Sequence, residues 1–247
     1  MVNTQPKILF LDIETSPNIG FTWGKYEQNV IKFITESYLL SFAYKWQGEQ
    51  TKALCLQDFN RYKRDKKDDG PLAAALRDLL SEADIVIAHN GDRFDLKKSH
   101  TFFIRNRLSP PSPYQTVDTL KEARKYFYFN SNKLDDLGEY LGVGRKIKTG
   151  GFELWERCLA GESKAWKEMV DYNKQDVDLL EQVYLRLRPY MRTHPSLFLL
   201  DACTACGGKV RKQGTKMTTT GPRQKLQCGA CGKWSTGKIT KEPQLLR

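Results

Sequence analysis

The chain has 247 residues, enough for one large domain or for a domain of about 190 residues with a small appendage. Hydrophobic residues make up 40% and charged residues 28% of the sequence, which is typical of globular proteins and excludes fibrous and low-complexity chains. No apolar run reaches the roughly 18 residues that span a bilayer, and residues 1–7 lack a signal-peptide pattern. We therefore expect a cytoplasmic protein without a membrane partner.

The net charge of +11 is concentrated near the end of the chain. Residues 201–247 contain 10 Lys or Arg and 2 Asp or Glu, giving +8, whereas residues 1–200 carry only +3. Phosphate contacts dominate binding to nucleic acids, so this basic segment indicates a polyanionic partner, with nucleic acid as the first candidate. A solvated basic face that only improves solubility is the alternative.

The first half of the chain predicts a sheet that begins as a meander. Apolar runs bounded by turn residues are typical of strands, and leucines spaced by three or four residues are typical of a helix. The predicted elements are strands over Lys7–Glu14, Tyr38–Trp46 and Thr51–Phe59, an exposed charged loop over Arg61–Pro71, a helix with Leu72, Leu76, Leu79 and Ala83, and a strand over Ile85–Asn90.

The second half is predicted to alternate helices with one short strand. The predicted elements are a helix from about Phe94 to the break at Ser109–Pro113, a short strand in "YQTVDTL", a helix in "KLDDLGEYLGV" closed at Gly142, and a long helix over Lys164–Leu187 that Pro189 stops. This order predicts an α/β fold, a mixed sheet with helices on both faces. Cysteines and basic residues become dense beyond Arg192, so we expect a boundary near 190–200 that separates a domain of residues 1–190 from one of residues 197–247.

The stretch "FLDIET", residues 10–15, ends an apolar run with two acids. Residues two apart on a strand point to the same face, so the Cα atoms of Asp12 and Glu14 lie about 6.5 Å apart and both carboxylates face one point. They either bind a cation together or repel each other. On its own, such a pair is better explained by a structural or surface role, so a metal site requires further acids.

Two later segments supply these acids. Asp95 in "HNGDRFD" lies where a strand passes into a helix, a place where open α/β sheets present functional groups, although the helix dipole alone stabilises a carboxylate there. Tyr172 and Asp176 in "DYNKQDVD" are four residues apart and share one helix face. Asp171 and Asp178 lie off that face and are predicted to point to solvent.

These residues resemble the motifs of the DEDD family of 3′-to-5′ exonucleases, also called DnaQ-like. "DIET", "NGDRFD" and "YNKQD" match the three motifs in order, and the resemblance covers roughly residues 7–188. It is closest to the tyrosine (DEDDy) subclass, which includes polymerase proofreading domains and the YprB-like group. The histidine subclass is disfavoured because no histidine lies a few residues before a candidate fourth acid.

The resemblance implies a ribonuclease-H-like fold and a site with two Mg²⁺ or Mn²⁺ ions. Such ions activate a water on one side of a phosphodiester and stabilise the leaving oxygen on the other. The implied roles are that Asp12 bridges both ions, Glu14 and Asp176 complete the first, Asp95 supports the second, and the Tyr172 hydroxyl orients the water. The products would be nucleoside 5′-monophosphates released from a 3′ end.

Weaker features concern the substrate path and the interior. Trp23, with Phe21 and Tyr26, follows the first acidic motif and either stacks on an unpaired terminal base or packs against the sheet. Lys146 and Lys148 lie in a glycine-rich stretch and either contact phosphates or belong to a solvated loop. Four further residues are expected to be buried or supporting groups rather than ligands, namely His89, Asp118, Cys55 and Cys158.

Two CxxC pairs near the end of the chain predict a zinc ribbon. In a cytoplasmic protein such pairs favour one tetrahedral zinc ion over disulfides or a redox dithiol, and the expected ligands are Cys203, Cys206, Cys228 and Cys231. Fewer than about 50 residues form little core, so metal binding would supply folding energy. The basic ribbon either binds nucleic acid, with candidate contacts at Lys209, Arg211, Lys212, Arg223 and Lys225, or only caps the domain.

These patterns predict a metal-dependent 3′-to-5′ exonuclease that acts on DNA, with RNA left open, and whose zinc ribbon engages the substrate. A structure-selective endonuclease on the same fold is one alternative, because the carboxylate site does not itself require a free end. A non-catalytic nucleic-acid-binding or polymerase-accessory protein is the other. A polymerase or a recombination factor is the expected protein partner.

Overall fold

The computed structural model describes residues 6–26, 29–192, 194–195 and 202–239. The chain divides into two compact units, one formed by Pro6–Val183 and a second that contains residues from Tyr184 onward. Much of the expected boundary near 190–200 lies outside the described residues, as do residues 197–201 and 240–247 of the expected second domain. The separation into domains of residues 1–190 and 197–247 stays a prediction.

The first unit is built around a five-stranded mixed sheet. Its seven strands are β1 (Ile8–Thr15), β2 (Ile19–Phe21), β3 (Lys32–Thr35), β4 (Leu39–Trp46), β5 (Lys52–Cys55), β6 (Ile85–Ala88) and β7 (Gln115–Asp118). The sheet has the order β5-β4-β1-β6-β7, with β1 antiparallel to β4 and parallel to β6, while β2 and β3 form a separate hairpin. The central strand β1 is therefore paired on both edges.

Helices flank this sheet, which confirms the predicted α/β class. In the part of the chain that the structure describes, the α-helices are α1 (Gly70–Glu82), α2 (Asp95–Arg105), α3 (Thr119–Tyr126), α4 (Leu134–Tyr140), α5 (Phe152–Ala160) and α6 (Ser163–Leu187). The sequence did not predict α3, α5 or the β2–β3 hairpin. Helix α3 begins because Asp118 accepts hydrogen bonds from the amides of Leu120 and Lys121, an N-cap that fixes where β7 ends.

Alternate residues of strand β1 point to opposite faces of the sheet, one toward the hydrophobic core and one toward the carboxylates. Leu9, Leu11 and Ile13 belong to a core that also contains residues of α1, α2 and the first turns of α6, including Leu72, Leu76, Leu80, Phe102 and Met169. Each fully buried leucine contributes about 1.5 to 3 kcal/mol through the hydrophobic effect. The other face of β1 carries Asp12 and Glu14, so the strand holds the two carboxylates on a rigid element.

Three predicted elements differ from the structure. The strand Thr51–Phe59 ends at Cys55, where the Asp58 carboxylate accepts a hydrogen bond from the Cys55 amide at 2.7 Å and a 3₁₀ turn follows. The strand Ile85–Asn90 ends at Ala88, and Asn90 takes a left-handed conformation with φ of 66°. The loop Arg61–Pro71 is not wholly exposed, because Asp69 is buried and accepts a hydrogen bond from the Leu39 amide.

The described part of the second unit is a three-stranded antiparallel sheet. It comprises β8 (Val210–Thr218), β9 (Gly221–Cys228) and β10 (Trp234–Ile239), with β9 in the centre. Gly207 and Gly232, each directly after the second cysteine of a CxxC pair, have positive φ values of 69° and 74°, which glycine adopts without strain. Within the described residues, no helix is both long and apolar enough to cross a membrane.

Candidate active site

Three carboxylates from two elements converge in the first unit. Asp12 and Glu14 come from β1 and Asp176 from α6, and one oxygen of each lies within 4.8 Å of the others. Asp12 and Glu14 are partly buried, whereas Asp176 is fully buried. The structure thus brings together three of the four acids that the sequence motifs single out.

Asn173 orients the Asp12 carboxylate. Its side-chain amide donates to Asp12 Oδ2 at 2.6 Å, and its carbonyl oxygen accepts a hydrogen bond from the Ser41 hydroxyl at 3.1 Å. Asn173 is completely buried on α6, three residues before Asp176. Sequence reasoning missed this residue, although its spacing places it on the helix face that carries Asp176.

Asp95 lies beside this group but outside the set within 4.8 Å. Its carboxylate is buried and accepts a hydrogen bond at 3.1 Å from the amide of Ile13, the residue between Asp12 and Glu14. This bond fixes Asp95 against β1. Asp118 holds the preceding loop, since its carboxylate accepts hydrogen bonds from the amides of Asn90 and Asp92. The prediction that Asp118 is a buried supporting group is confirmed.

The carboxyl groups share a buried environment that disfavours their charges. Burial raises the pKa of Glu14 to about 8, with a further contribution from Asp176, and burial raises the pKa of Asp95 to about 7. Burial also raises the pKa of Asp12, and among the neighbouring charges Asp95 contributes most. Without a cation these groups resist being ionised together. The acids of "FLDIET" therefore repel each other unless a cation compensates their charge.

One such cation belongs to the protein. The Lys146 ammonium donates to Asp176 Oδ2 at 2.5 Å and to the Tyr172 hydroxyl at 3.2 Å, and lies 5.3 Å from the centre of the Tyr172 ring. Burial would lower the pKa of Lys146, but the Asp176 carboxylate outweighs burial and raises it. Lys146, for which the sequence left open a phosphate contact or a solvated loop, lies beside the carboxylate group and pairs with Asp176.

Gln175, on α6, fixes the position of the loop that contains Lys146. Its side-chain amide donates to the Arg145 carbonyl, and its side-chain oxygen accepts a hydrogen bond from the Ile147 amide at 2.6 Å. The Lys146 amide donates to Asp135 on α4 at 2.7 Å. These three bonds fix both neighbours of Lys146 and leave its side chain extended toward Asp176.

The donor set fits a hard divalent cation. Asp176 Oδ1 is buried and has no hydrogen-bond partner within the described residues, although a carboxylate oxygen there needs one or a metal ion. Within the described residues, Lys146 is the ammonium that pairs with this group, so ionisation of all three carboxylates would leave negative charge for a cation to compensate. Carboxylate oxygens are the ligands that Mg²⁺ and Mn²⁺ prefer, and Asp12, Glu14 and Asp176 are placed to supply them.

Tyr172 connects this group to a shallow groove. Its ring meets Trp155 edge-on, with centroids 6.3 Å apart, and burial together with Asp176 raises the pKa of its hydroxyl to about 12, so the hydroxyl remains a donor. Trp155 also lines a groove of about 370 Å³ with Thr15, Ser16, Pro17, Gly151 and Phe152. This groove begins directly after the acidic end of β1.

A second groove, of about 630 Å³, adjoins Lys146. It is lined by polar and basic side chains that include His89, Asn132, Arg124 and Lys133. His89 bridges the Thr119 hydroxyl and the Asn132 carbonyl, each at 2.9 Å, and burial lowers its pKa to about 4. His89 is thus a neutral supporting group, as predicted.

Other residues singled out from the sequence lie outside the carboxylate group. Phe21, Trp23 and Tyr26 are exposed on the hairpin, Trp23 by 90%, so none of them packs into the core. Lys148 is exposed, as are Asp171 and Asp178, which agrees with the predicted orientation of these two acids. Asp178 pairs with Lys45 at 3.0 Å. Cys55 and Cys158 are buried free thiols, also as predicted.

The four C-terminal cysteines form a separate cluster in the second unit. Their four sulfur atoms all lie within 4.8 Å of one another. The Sγ–Sγ distance is 3.6 Å between Cys203 and Cys231 and 3.5 Å between Cys206 and Cys228. A tetrahedral zinc ion with bonds of about 2.3 Å requires sulfur atoms about 3.8 Å apart. The Gly208 amide points to Cys206 and the Ala230 amide to Cys228. This cluster fits one metal ion.

The residues of this unit predicted to contact nucleic acid lie between the two cysteine pairs along the chain. Lys209, Arg211 and Lys212 are exposed, whereas Arg223 and Lys225 are partly buried. Residues 202–239 contain eight Lys or Arg and neither Asp nor Glu. The described part of the second unit is therefore uniformly basic.

A family model of the RNase H superfamily matches residues 9–188. The solved structure of the family B DNA polymerase from the hyperthermophilic archaeon Pyrobaculum calidifontis is similar to the chain, with a TM-score of 0.52 and 14% sequence identity. The similarity covers 76% of this chain and 26% of that chain, so this chain spans about a quarter of the polymerase's length, and it concerns the fold alone. No curated protein sequence matches significantly. Because the matched segment contains nearly the whole five-stranded sheet and its three-carboxylate group, the chain belongs to the RNase H superfamily and has its fold.

Proposed function

We propose that the protein is a metal-dependent 3′-to-5′ exonuclease that hydrolyses DNA to nucleoside 5′-monophosphates. The family and the fold support a nuclease in general. The observation that carries the proposal is the convergence of Asp12, Glu14 and Asp176, which leaves a buried carboxylate oxygen of Asp176 without a partner. The tyrosine four residues before Asp176 favours the DEDDy type of site. RNA remains a second substrate of the same chemistry.

In the proposed mechanism Asp12, Glu14 and Asp176 would hold divalent cations, and Asp95 would support them from beside Asp12. The bound cations supply charge stabilisation for the phosphodiester and lower the pKa of the attacking water. Tyr172 would donate a hydrogen bond to this water and orient it toward phosphorus. The water oxygen would form the new P–O bond and lose a proton to solvent, while the bond to the 3′ oxygen of the preceding nucleotide breaks and that oxygen takes up a proton from solvent to leave as a hydroxyl.

Lys146 and the two grooves accommodate the substrate. Lys146 would contact the phosphate once its ion pair with Asp176 is weakened by metal binding to that carboxylate. The groove of Thr15 and Trp155 has an aromatic wall on which the terminal base can lie, and the groove of Arg124 and Lys133 offers positive charge to the preceding phosphates. Trp23 and Lys148, both exposed, are further candidates for contact with the strand.

The cysteine cluster is proposed to hold one structural zinc ion, and the basic ribbon to bind nucleic acid. A polymerase or a recombination factor remains the proposed protein partner, and the cytoplasm the proposed location. None of these assignments is needed for hydrolysis in the first unit. They can be tested independently of it.

The test is digestion of a 5′-labelled single-stranded oligonucleotide with Mg²⁺ or Mn²⁺. A 3′-to-5′ exonuclease produces a ladder of labelled products that shortens from the 3′ end, whereas the opposite polarity releases the label at once. Circular single-stranded DNA should stay intact, and its cleavage would favour the structure-selective endonuclease. Failure to cleave any substrate with either metal ion would favour a non-catalytic nucleic-acid-binding or polymerase-accessory protein.

A further inference from the structure

Strand register in the zinc ribbon sorts its basic residues onto two faces. Directly paired residues of an antiparallel sheet point to the same side, and so do residues two apart on one strand. Arg211 pairs with Gln227, Gln227 pairs with Trp234, and Lys216 pairs with Arg223. Since Arg223, Lys225 and Gln227 alternate along β9, one face carries Arg211, Lys216, Arg223, Lys225, Gln227 and Trp234. We call this the tryptophan face.

Lys212 lies on the opposite face. It pairs with Leu226, which is one residue away from both Lys225 and Gln227 on β9. The sequence grouped Lys212 with Arg211, Arg223 and Lys225 as candidate contacts, but the register separates it from these three. The two faces therefore differ in both charge and aromatic content.

The side chains of the tryptophan face form a continuous surface about 10 Å wide and 13 Å long, given strand spacings of about 4.8 Å and a rise of about 3.3 Å per residue. The Lys225 ammonium lies 5.1 Å from the centre of the Trp234 ring, and Trp234 is 50% exposed. Gln227 lies between Arg211 and Trp234 and offers both a donor and an acceptor. Four cations, one indole and one amide are thus displayed together.

We propose that the tryptophan face binds an unpaired strand of nucleic acid, with a base stacked on Trp234 and phosphates held by the surrounding cations. Charge complementarity favours a polyanion, because residues 202–239 contain no acid. An exposed indole favours unpaired bases, whose ring faces are free to stack, over a duplex. This inference rests on the proposed nuclease function only for the biological role of the binding, since binding of a strand to this face needs no hydrolysis.

The test measures the affinity of the full-length Asp12→Asn protein, loaded with zinc, for a labelled oligothymidylate strand, an oligouridylate strand and a DNA duplex of equal length. Trp234→Leu should weaken binding of the single strands by roughly 5- to 100-fold, the effect of losing one base stack, and should change duplex binding little. Lys225→Gln should lower the slope of log K against log salt by about 0.7 for the single strand. Equal losses of affinity for the DNA and RNA strands would show that the face recognises the base and phosphate chemistry that both strands share. A loss confined to one strand type would identify that strand as the ligand.

Lys212→Gln is the matched control, because it removes the same charge from the opposite face. Its salt slope should equal that of the parent protein, and each variant should retain one zinc ion, which shows that the ribbon is folded. Equal effects of Lys212→Gln and Lys225→Gln, unchanged single-strand affinity in Trp234→Leu, or preference for the duplex would each overturn the proposal. Mononucleotide release by the protein with Asp12 intact tests the nuclease function separately.

Discussion

At the scale of single residues, the ion pair between Lys146 and Asp176 decides how the site behaves without metal. Lys146 contributes one positive charge to a group of three buried or half-buried carboxylates, and it also donates to Tyr172. A divalent cation at the unpartnered Oδ1 of Asp176 would compete with this ammonium for the negative charge of the same carboxylate. We therefore expect metal binding to weaken the ion pair between Lys146 and Asp176.

The carboxylates should be indispensable for hydrolysis. Asp12→Asn or Asp176→Asn removes a metal ligand and should lower the rate of mononucleotide release by at least about 10³. Tyr172→Phe should cost about 10 to 10³, because a positioned hydroxyl orients water but holds no metal ion. Asp178→Asn is the matched control on the same helix and should retain nearly full activity. A loss as large as that of Asp176→Asn would show that the wrong face of α6 has been assigned to the site.

Replacement of Lys146 should separate metal binding from turnover. Lys146→Met removes a cation that competes with metal ions, so the Mn²⁺ concentration for half-maximal activity should fall. The turnover rate should fall by about 10- to 100-fold because a charged contact to the phosphate is lost. Lys167→Met, which is exposed on α6 and outside the proposed substrate contacts, should change neither quantity. A higher Mn²⁺ requirement in Lys146→Met would refute the competition.

Stability without added Mg²⁺ or Mn²⁺ should fall as the pH rises. The folded-state pKa values of Glu14 and Asp95, about 8 and about 7, lie above those of an unfolded chain, so the folded protein binds more protons between pH 4.5 and 8. Each unit of pKa difference corresponds to about 1.4 kcal/mol of unfolding free energy. In urea denaturation, Glu14→Gln should reduce the fall with pH by a few kcal/mol. Parallel curves for the two proteins would contradict this coupling.

At the scale of secondary-structure elements, Asp118 links the end of β7, the start of α3 and the loop before Asp95. Its buried carboxylate accepts hydrogen bonds from four backbone amides, those of Asn90, Asp92, Leu120 and Lys121. A carboxylate at a helix N-terminus is further stabilised by the helix dipole. One side chain thus joins the junction of β7 and α3 to a loop that lies 26 to 28 residues earlier in the chain.

Loss of this carboxylate should destabilise the first unit. Asp118→Ala removes an N-cap and leaves buried amides without an acceptor, at a cost of about 2 to 4 kcal/mol in urea denaturation. Activity should also fall, because the loop that positions Asp95 loses its support. Asp78→Ala on the exposed face of α1 is the control and should change stability by less than about 0.5 kcal/mol. A similar small effect for Asp118→Ala would rule out its linking role.

At the scale of the whole molecule, the two compact units have separate cores and separate candidate metal sites. The first contains the mixed sheet and the carboxylates, and the second contains the four cysteines at the base of the three-stranded sheet. The described cluster in the second unit has few apolar residues, so we expect a bound metal ion to supply much of its stability. Losing one metal site should therefore leave the other intact.

Zinc removal by mutation should test this independence. The intact protein should contain one zinc ion per chain, and Cys206→Ser combined with Cys231→Ser should contain none. The double variant should still hydrolyse thymidine 5′-p-nitrophenyl phosphate at a rate within about twofold of the parent, while its salt slope for long single-stranded DNA becomes shallower. Cys55→Ala and Cys158→Ala are controls that should retain zinc. An unchanged salt slope would leave the ribbon as a structural cap or a docking site for another protein.

The sequence by itself determined the features that depend on order and local spacing. The alternation along β1 places Asp12 and Glu14 on one face, and a spacing of four residues places Tyr172 and Asp176 on one helix face. The two CxxC pairs indicate one metal cluster. These inferences need only the periodicity of a strand, a helix and a turn. The α/β class followed from the same periodicities, because the apolar patterns of the sheet strands and most helices are regular.

Only the tertiary structure decided which distant residues meet these groups. Lys146 reaches Asp176 across 30 residues, and Asn173 reaches Asp12 across 161, through loop and helix positions that no local pattern specifies. In the ribbon, the pairing of three strands and a bulge between Lys212 and Thr215 decide which cations share a face with Trp234. The physical reason is that such contacts arise from packing and register, which are set by the whole fold and not by the spacing of residues along one element.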